Sequence, residues 1–463
     1  MTAPNAAKVE ELRKGFKGKV ITPGDNEYEE SRKIWNGMVD KRPAIIARCA
    51  GTQDAVKAVN FARDNGIQLA VRGAGHHIAG NSLCDDGLVV DLSHMRTVKV
   101  DVAAKRAVAE GGATLADFDA ATLAHGLATP VGINSTTGIA GLTLGGGFGW
   151  LSRKYGMTVD NLESAEVVTA NGEVVRASAK ENPDLFWALR GGSGNFGVVT
   201  QFEFRLHQVG PDLLSGLIVY PFSEAKRVLQ QYRDFYAKAP DELTVWTVLR
   251  KAPPLPFLPA DVHGKEVVIL ALVYAGDPKK GEELIQPLRK FGKPLGEHIG
   301  VQPFTAWQKA FDPLLTPGAR NYWKSHNFTT MADGLIDVVI EYVKKLPSPH
   351  CEIFFGAIGG ATTRPAPDAT AYAHRDKKIM AIAVNFFEGE EDLPRRKQWL
   401  DETFAAMDQG VTGAYVNFVR GEDDASVRSA YPDATYERLA QIKANYDPDN
   451  IFKRNTNVRP AQA

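Results

Sequence analysis

The chain has 463 residues, 44% of them hydrophobic and 24% charged, a globular balance that excludes wholesale disorder. At about 150 residues per domain, this length accommodates roughly three units or two large ones. Lysine and arginine number 54 against 55 acidic residues, giving a net charge of -1, so no basic excess points to nucleic acid.

Cys49, Cys84 and Cys351 are far apart and form no CxxC pair, which argues against a disulfide framework, a zinc knuckle or an iron–sulfur site. No metal site is expected. No apolar run reaches the ~18 residues of a membrane span. The opening stretch MTAPNAAKVEELRKGFKG is polar and charged, with no apolar core of a secretory signal. The expectation is a soluble, cytoplasmic protein.

In chain order, a charged lead segment (1–40) precedes a short buried strand at 44–47. The spacing of Val56, Val59 and Ala62 predicts a helix over 53–65, stopped by Gly66. A second strand at 68–71 runs directly into RGAGHH, so the unit reads as a right-handed strand–helix–strand crossover. Further strands are predicted at 88–91, 98–100 and 106–109. Thr114 is positioned to cap a helix reaching His125, with Asp117 favouring its N-terminal dipole. Residues 164–170 and 174–177 read as strands paired through NGE, followed by a helix at 183–189 and a strand at 198–206.

Past Gly210-Pro211 the glycine clusters thin out. Strands at 217–220, 243–249, 267–274, 353–357 and 379–386 alternate with amphipathic helices, which reads as a second α+β domain. The tail holds a short strand, YVNF, and a helix presenting Tyr436, Leu439, Ile442 and Tyr446 on one face. It is expected to return to the first domain.

Glycine-rich stretches crowd residues 72–200: RGAGHHIAG, GGATL, GIAGLTLGGGFG and RGGSGNFG. Several such loops in one region suggest a backbone cradle around a large anionic ligand. GSGNFG at 192–197 spells GxGxxG, but a helix precedes it and a β-branched run follows. A nicotinamide dinucleotide fold requires the opposite order. GIAGLTLGGGFG lacks the GK[ST] ending of a P-loop. Arg72 either supplies charge to a phosphate or locks its loop. His76 is a satisfied structural histidine, a metal ligand lacking suitably spaced partners, or a nucleophile that tethers a cofactor.

RGAGHHIAGNS, GIAGLTLGGGFGWLSRKYGMTVDNLESAEVVTANGE, NPDLFWALRGGSGNFGVVTQFEF and the tail YVNF…YERLAQIKANYDPDNIF together resemble the berberine bridge enzyme-like FAD-linked oxidases. The likeness runs in order over about residues 40–205 and 412–457, and is looser between, in NYWKS and AYAHRD. It implies an α+β, two-domain flavoprotein: a vanillyl-alcohol-oxidase-type FAD-binding domain (41–208), a substrate domain whose sheet covers the flavin (209–410), and a C-terminal segment (411–463) returning to the first. It implies an enzyme that passes hydride from a C–H beside an amine or hydroxyl to flavin N5, with oxygen reduced to hydrogen peroxide. A dehydrogenase using another acceptor and a non-catalytic flavin-binding protein are the alternatives. The substrate is a small molecule, and the oligomeric state stays open.

The resemblance places FAD against Arg72, Gly73, Ala74, Gly75, His76, His77, Gly80, Asn81 and Ser82. The second motif contributes Asn134, Thr136, Thr137, Gly138, Gly141, Leu144, Gly145, Gly147, Gly149 and Trp150. Gly194, Val198, Val199 and Asn417 complete the set. His76, rather than His77, takes the position that carries the flavin 8α-methyl group. Many relatives add a second tether through a cysteine where this chain has Asn134, so a single histidyl link is expected. Thr137 stands where related oxidases carry a small residue and dehydrogenases leucine; it either leaves oxygen a path or satisfies loop backbone. Relatives often end the Y-x-N-Y motif in a tyrosine base, but this chain has Phe418. Tyr415 is then either a proton acceptor, with Lys324 or His374 lowering its pKa, or a packing residue. Strand alternation would put Tyr415 and Asn417 on one face and Phe418 on the other. Trp150, Tyr322, Trp323 and Lys324 are expected to face the substrate, with His374 nearby.

Overall fold

The computed structural model describes residues 6–387, 393–408, 413–419 and 424–462. Three larger sheets organise it, beside a two-stranded pair of Leu127–Ala128 with His207–Gln208. In the first, the strands Ile45–Arg48, Leu88–Asp91 and Leu69–Arg72 run parallel, and Lys19–Ile21 pairs antiparallel with the outer edge of Ile45–Arg48. The helix Thr52–Asp64 makes the crossover and buries Ala55, Ala58, Val59 and Ala62. This is the predicted unit, with Leu88–Asp91 inserted between its two strands.

The second sheet is antiparallel, in the order Val98–Asp101, Arg106–Glu110, Val198–Arg205, Leu162–Val168, Val174–Ser178. Thr114 and Asp117 close a reciprocal capping box at the start of the helix Leu115–Leu123. The GxGxxG stretch lies between the helix Pro183–Leu189 and the strand Val198–Arg205, an inverted order for a dinucleotide fingerprint.

The third sheet has seven antiparallel strands, ordered Gly296–Pro303, Asp212–Pro221, Glu266–Tyr274, Leu243–Lys251, Cys351–Ala357, Ile379–Phe387, Arg320–Phe328. The helices Ala225–Tyr236, Asp333–Val343 and Leu393–Met407 each bury an apolar face in the same large core. Gly296–Pro303 escapes prediction because its residues are mostly exposed and carry no apolar alternation. YVNF is not a strand. Val416–Phe418 forms a 3-10 turn, with the Phe418 amide donating to the Tyr415 carbonyl at 2.8 Å.

The helix Asp433–Tyr446 packs Leu439 and Ile442 into a core shared with Phe186 and Phe202. Buried Lys443 fixes this tail. Its Nζ donates to the Asn195 carbonyl at 3.0 Å and the Phe452 carbonyl at 2.9 Å, and pairs with Asp447 at 3.2 Å. No helix among the described residues is long and apolar enough to cross a membrane.

Arg72 ends its strand as an internal lock. Its Nε donates to Asp91 Oδ1 at 3.0 Å and its Nη1 to the Ser31 carbonyl at 2.6 Å. Burial alone would raise the Asp91 pKa, but the Arg72 guanidinium and the Ser93 hydrogen bonds outweigh it and hold the carboxyl below its usual value. The depressed value means this contribution is fully present above about pH 4 and is lost on acidification below it. Replacing Asp91 with alanine strands a buried guanidinium, so Asp91→Ala should cost about 3–5 kcal/mol in urea unfolding at neutral pH.

Candidate functional site

The parallel sheet meets the second and third sheets around a cavity of about 270 Å³. One side is walled by Leu69, Ala70, Val71, Leu92 and Val199, the other by Trp246, Trp323, Phe354 and Ile382. The loop following Leu69–Arg72 delivers Gly73, Ala74, Gly75, His76 and His77 to the wall. Gly75 has φ +74 and a Cβ there would lie 3.2 Å from Ile34, so the turn that aims His76 inward suits glycine.

The His76 ring stacks on Trp35 with centroids 4.6 Å apart. Its Nε2 lies 2.8 Å from Thr136 Oγ1 and its Nδ1 3.4 Å from Thr137 Oγ1. Burial pushes its pKa down to about 3, so the imidazole is neutral at physiological pH. His77 Nδ1 accepts from the Ala79 amide at 3.2 Å, a local loop contact.

At the other end, Tyr415, Asn417 and Phe418 all reach the cavity. The Tyr415 hydroxyl accepts from the Gly147 amide at 3.0 Å and from Asn417 Nδ2 at 2.9 Å. Asn417 Nδ2 also donates to the Leu142 carbonyl at 3.2 Å. A Cβ on Gly145 would stand 2.1 Å from Asn417 Oδ1, so the backbone can approach this amide only without a side chain. The expected separation of Phe418 from Tyr415 does not hold: their rings touch at 5.1 Å, because the 3-10 turn brings successive residues around one side. Burial pushes the Tyr415 pKa up to about 12, against the opposing hydrogen bonds from Gly147 and Asn417. The phenol is a hydrogen-bond donor at neutral pH.

Of the residues expected to hold FAD, Asn81, Ser82, Asn134, Thr137, Gly138, Gly141, Leu144, Gly194 and Val199 also lie on the wall. Thr136 stands behind His76. Arg72 is turned away into its lock with Asp91. Gly80 packs on Val39, Gly147 on Thr158 and Gly149 on the Val131 carbonyl. Val198 is buried in the core beside the parallel sheet.

The substrate-facing expectations need correction. Trp323 lies on the wall, so strand alternation turns Tyr322 and Lys324 to the opposite face. There Lys324 Nζ pairs with Asp401 at 2.7 Å, and the Tyr322 hydroxyl lies 3.3 Å from the same carboxylate. Trp150 is buried behind the wall, stacked on Trp246 at 4.5 Å. His374 is buried against the Ala430 carbonyl at 3.1 Å. Neither Lys324 nor His374 is therefore placed to lower the Tyr415 pKa.

Sequence reasoning missed Trp35, Phe148, Trp246, Phe354, Arg454 and Asn455. A tryptophan within the charged stretch SRKIWNG, and the polar RNTN directly after the tail motif, were available signals. Rings from His76 through Trp35, Trp323, Phe418, Tyr415, Phe148 and Trp246 to Phe354 form an unbroken chain, with successive centroids 4.6–6.1 Å apart.

The cavity suits FAD on three observations. A Cβ at Gly141 would meet no atom within 4 Å, and one at Gly194 only Asn455 Nδ2 at 4.0 Å, so both glycines border open space. The buried wall atoms Ser82 Oγ, Asn455 Oδ1 and Trp246 Nε1 have no protein partner. Arg454 brings a guanidinium whose buried Nε is likewise unpartnered, and it is the one Lys, Arg, Asp or Glu on the wall among the described residues. An apolar trough with one cation and backbone loops fits flat rings joined by a pyrophosphate.

The FAD binding domain family matches residues 43–178, and the berberine and berberine-like family matches residues 414–459. An FAD-linked oxidoreductase of Dictyostelium discoideum is 33% identical over 98% of this chain and 97% of that protein. The (R)-6-hydroxynicotine oxidase of Paenarthrobacter nicotinovorans is 30% identical over 96% of this chain and 97% of its own. The crystal structure of 6-hydroxy-D-nicotine oxidase from Arthrobacter nicotinovorans superposes with a TM-score of 0.86 at 29% identity, covering 96% of this chain and 98% of that one. Fold, cavity and full-length similarity agree, and the chain belongs to the berberine bridge enzyme-like family of FAD-linked oxidoreductases.

Proposed function

We propose that this oxidoreductase is an oxidase of small molecules whose FAD is joined to His76 by a single histidyl bond. The observation that carries this reading is the neutral, half-buried imidazole on the wall of a glycine-lined cavity closed by an aromatic sheet face. In this reading the described residues of 41–208 hold the cofactor, those of 209–410 cover it and those of 411–463 complete the wall, while the described part of the lead segment 1–40 packs on the first of these. When bound, FAD supplies the two-electron acceptor, taking hydride at N5 from a C–H beside an amine or hydroxyl and returning the electrons to oxygen as hydrogen peroxide.

The protein's part is orientation and exclusion of water. Gly73–His77, Asn81, Ser82, Gly138, Gly141 and Gly194 line the cofactor's bed, with Arg454 balancing phosphate charge. Trp246, Trp323, Phe354 and Phe418 offer flat apolar surface to a planar substrate. Tyr415 holds its proton, with its hydroxyl fixed by the Gly147 amide and Asn417 beside the site. That favours an amine, whose nitrogen lone pair supports loss of hydride, over an alcohol, which must also surrender its O–H proton. Thr137 keeps a side chain of valine size at the cavity edge, leaving space for oxygen.

Three measurements check this reading. Acid-precipitated wild-type protein should stay yellow, whereas His76→Ala should release its flavin to the supernatant; colour retained in the variant's pellet would reject the tether. Tyr415→Phe should lower kcat about tenfold through one lost hydrogen bond. Its kcat/KM should follow the same pH profile as wild type between pH 6 and 10, because a phenol titrating near 12 contributes no limb there; a limb that disappears with the hydroxyl would restore Tyr415 as a base. Thr137→Leu should slow reoxidation of the reduced protein by oxygen several-fold in stopped-flow mixing, with anaerobic reduction unchanged.

A further inference from the structure

The contacts of His76 go further than its identity as the tether, and the step drawn from them rests on that reading. Asn134 Oδ1 accepts from the Thr136 amide at 3.0 Å and from the Thr136 hydroxyl at 2.6 Å. The backbone N–H fixes the amide's orientation, since the reversed amide would set two donors against each other. The single hydroxyl proton of Thr136 is thereby committed to Asn134. Its oxygen can then only accept from His76 Nε2, 2.8 Å away. His76 must carry its proton on Nε2, which leaves the lone pair on Nδ1. Nδ1 is the nitrogen beside Thr137, which lines the cavity, while Thr136 does not.

We propose that Asn134 and Thr136 are positioning residues for flavin attachment, selecting the tautomer in which His76 Nδ1 is the nucleophile. The position that carries a second tether in many relatives would here serve the first. Trp35 supports the same geometry by stacking on the His76 ring with centroids 4.6 Å apart, its own Nε1 anchored on the Leu315 carbonyl at 3.1 Å.

Attachment forms one bond, from Nδ1 to the flavin 8α carbon. That carbon loses one hydrogen and the imidazole loses one proton. The two hydrogens and the electron pair of the broken C–H bond reside on the ring in its reduced form. Oxygen then takes two electrons and two protons to leave as hydrogen peroxide, restoring the oxidised ring. Thr136 accepts the Nε2–H hydrogen bond while positive charge develops on the imidazole, which a methyl group cannot do.

The test follows attachment rather than turnover. Flavin-free wild type, Thr136→Val, Thr136→Ser and Asn134→Ala are mixed with FAD in aerated buffer, and covalent flavin is followed by intact-mass spectrometry and by fluorescence of the acid-denatured chain. Thr136→Val should attach flavin about tenfold or more slowly, the rate equivalent of one lost hydrogen bond. It should still bind FAD reversibly and appear yellow when native. Thr136→Ser should restore the rate, and Asn134→Ala should fall between. NMR of the flavin-bearing peptide should show substitution at Nδ1. Attachment by Thr136→Val at the wild-type rate, or a bond at Nε2, would overturn the proposal. Should Thr136→Val not fold, equal rates in Asn134→Ala and wild type would overturn it as well. A wild type that never forms covalent flavin would instead overturn the tether reading on which the proposal stands.

Discussion

His76 is half-buried and flanked on three sides. Trp35 covers one ring face, Thr136 holds Nε2, and the cavity begins beside Nδ1. Burial keeps the imidazole neutral, which preserves a lone pair that protonation would remove. Much of the surrounding structure serves to hold this ring. The Arg72–Asp91 pair stiffens the strand end from which the loop departs, and positive-φ Gly75 turns the chain so that the next residue points inward.

The second requirement is enclosure. The seven-stranded sheet presents Trp246, Trp323, Phe354 and Ile382 on one face, while its other face is packed by helices. Tail and core are joined by Lys443, which ties the last helix to the loop at Asn195 and keeps Arg454 and Asn455 beside Gly194. Tyr415 and Asn417 are locked to the Gly147 amide and the Leu142 carbonyl. A phenol so held keeps its proton at neutral pH.

Sequence patterns disclosed the elements of the first half well, because short β-branched runs bounded by glycine turns leave few alternatives. The inverted context of GSGNFG was readable for the same reason: helix and strand periods differ on its two sides. Facing was harder. Tyr322, Trp323 and Lys324 look equally suited to a substrate in a linear motif, yet a strand can send only the middle one to the cavity while its neighbours meet Asp401 on a helix. YVNF has a strand's composition but no strand partner, and local hydrogen bonds curl it into a turn that gathers Tyr415, Asn417 and Phe418. Trp246 and Phe354 were invisible as wall residues because apolar strand positions do not announce whether they face a core or a ligand.

The proposed bond between the His76 imidazole and a flavin is what the remaining proposals depend on. Intact-mass spectrometry of the protein purified with its native cofactor, followed by peptide mapping, addresses it directly. The expected mass is that of the chain plus one FAD less two hydrogens, with the increment on the peptide bearing His76 and none on a cysteine peptide. A bare polypeptide mass, or the increment on a peptide lacking His76, would contradict it.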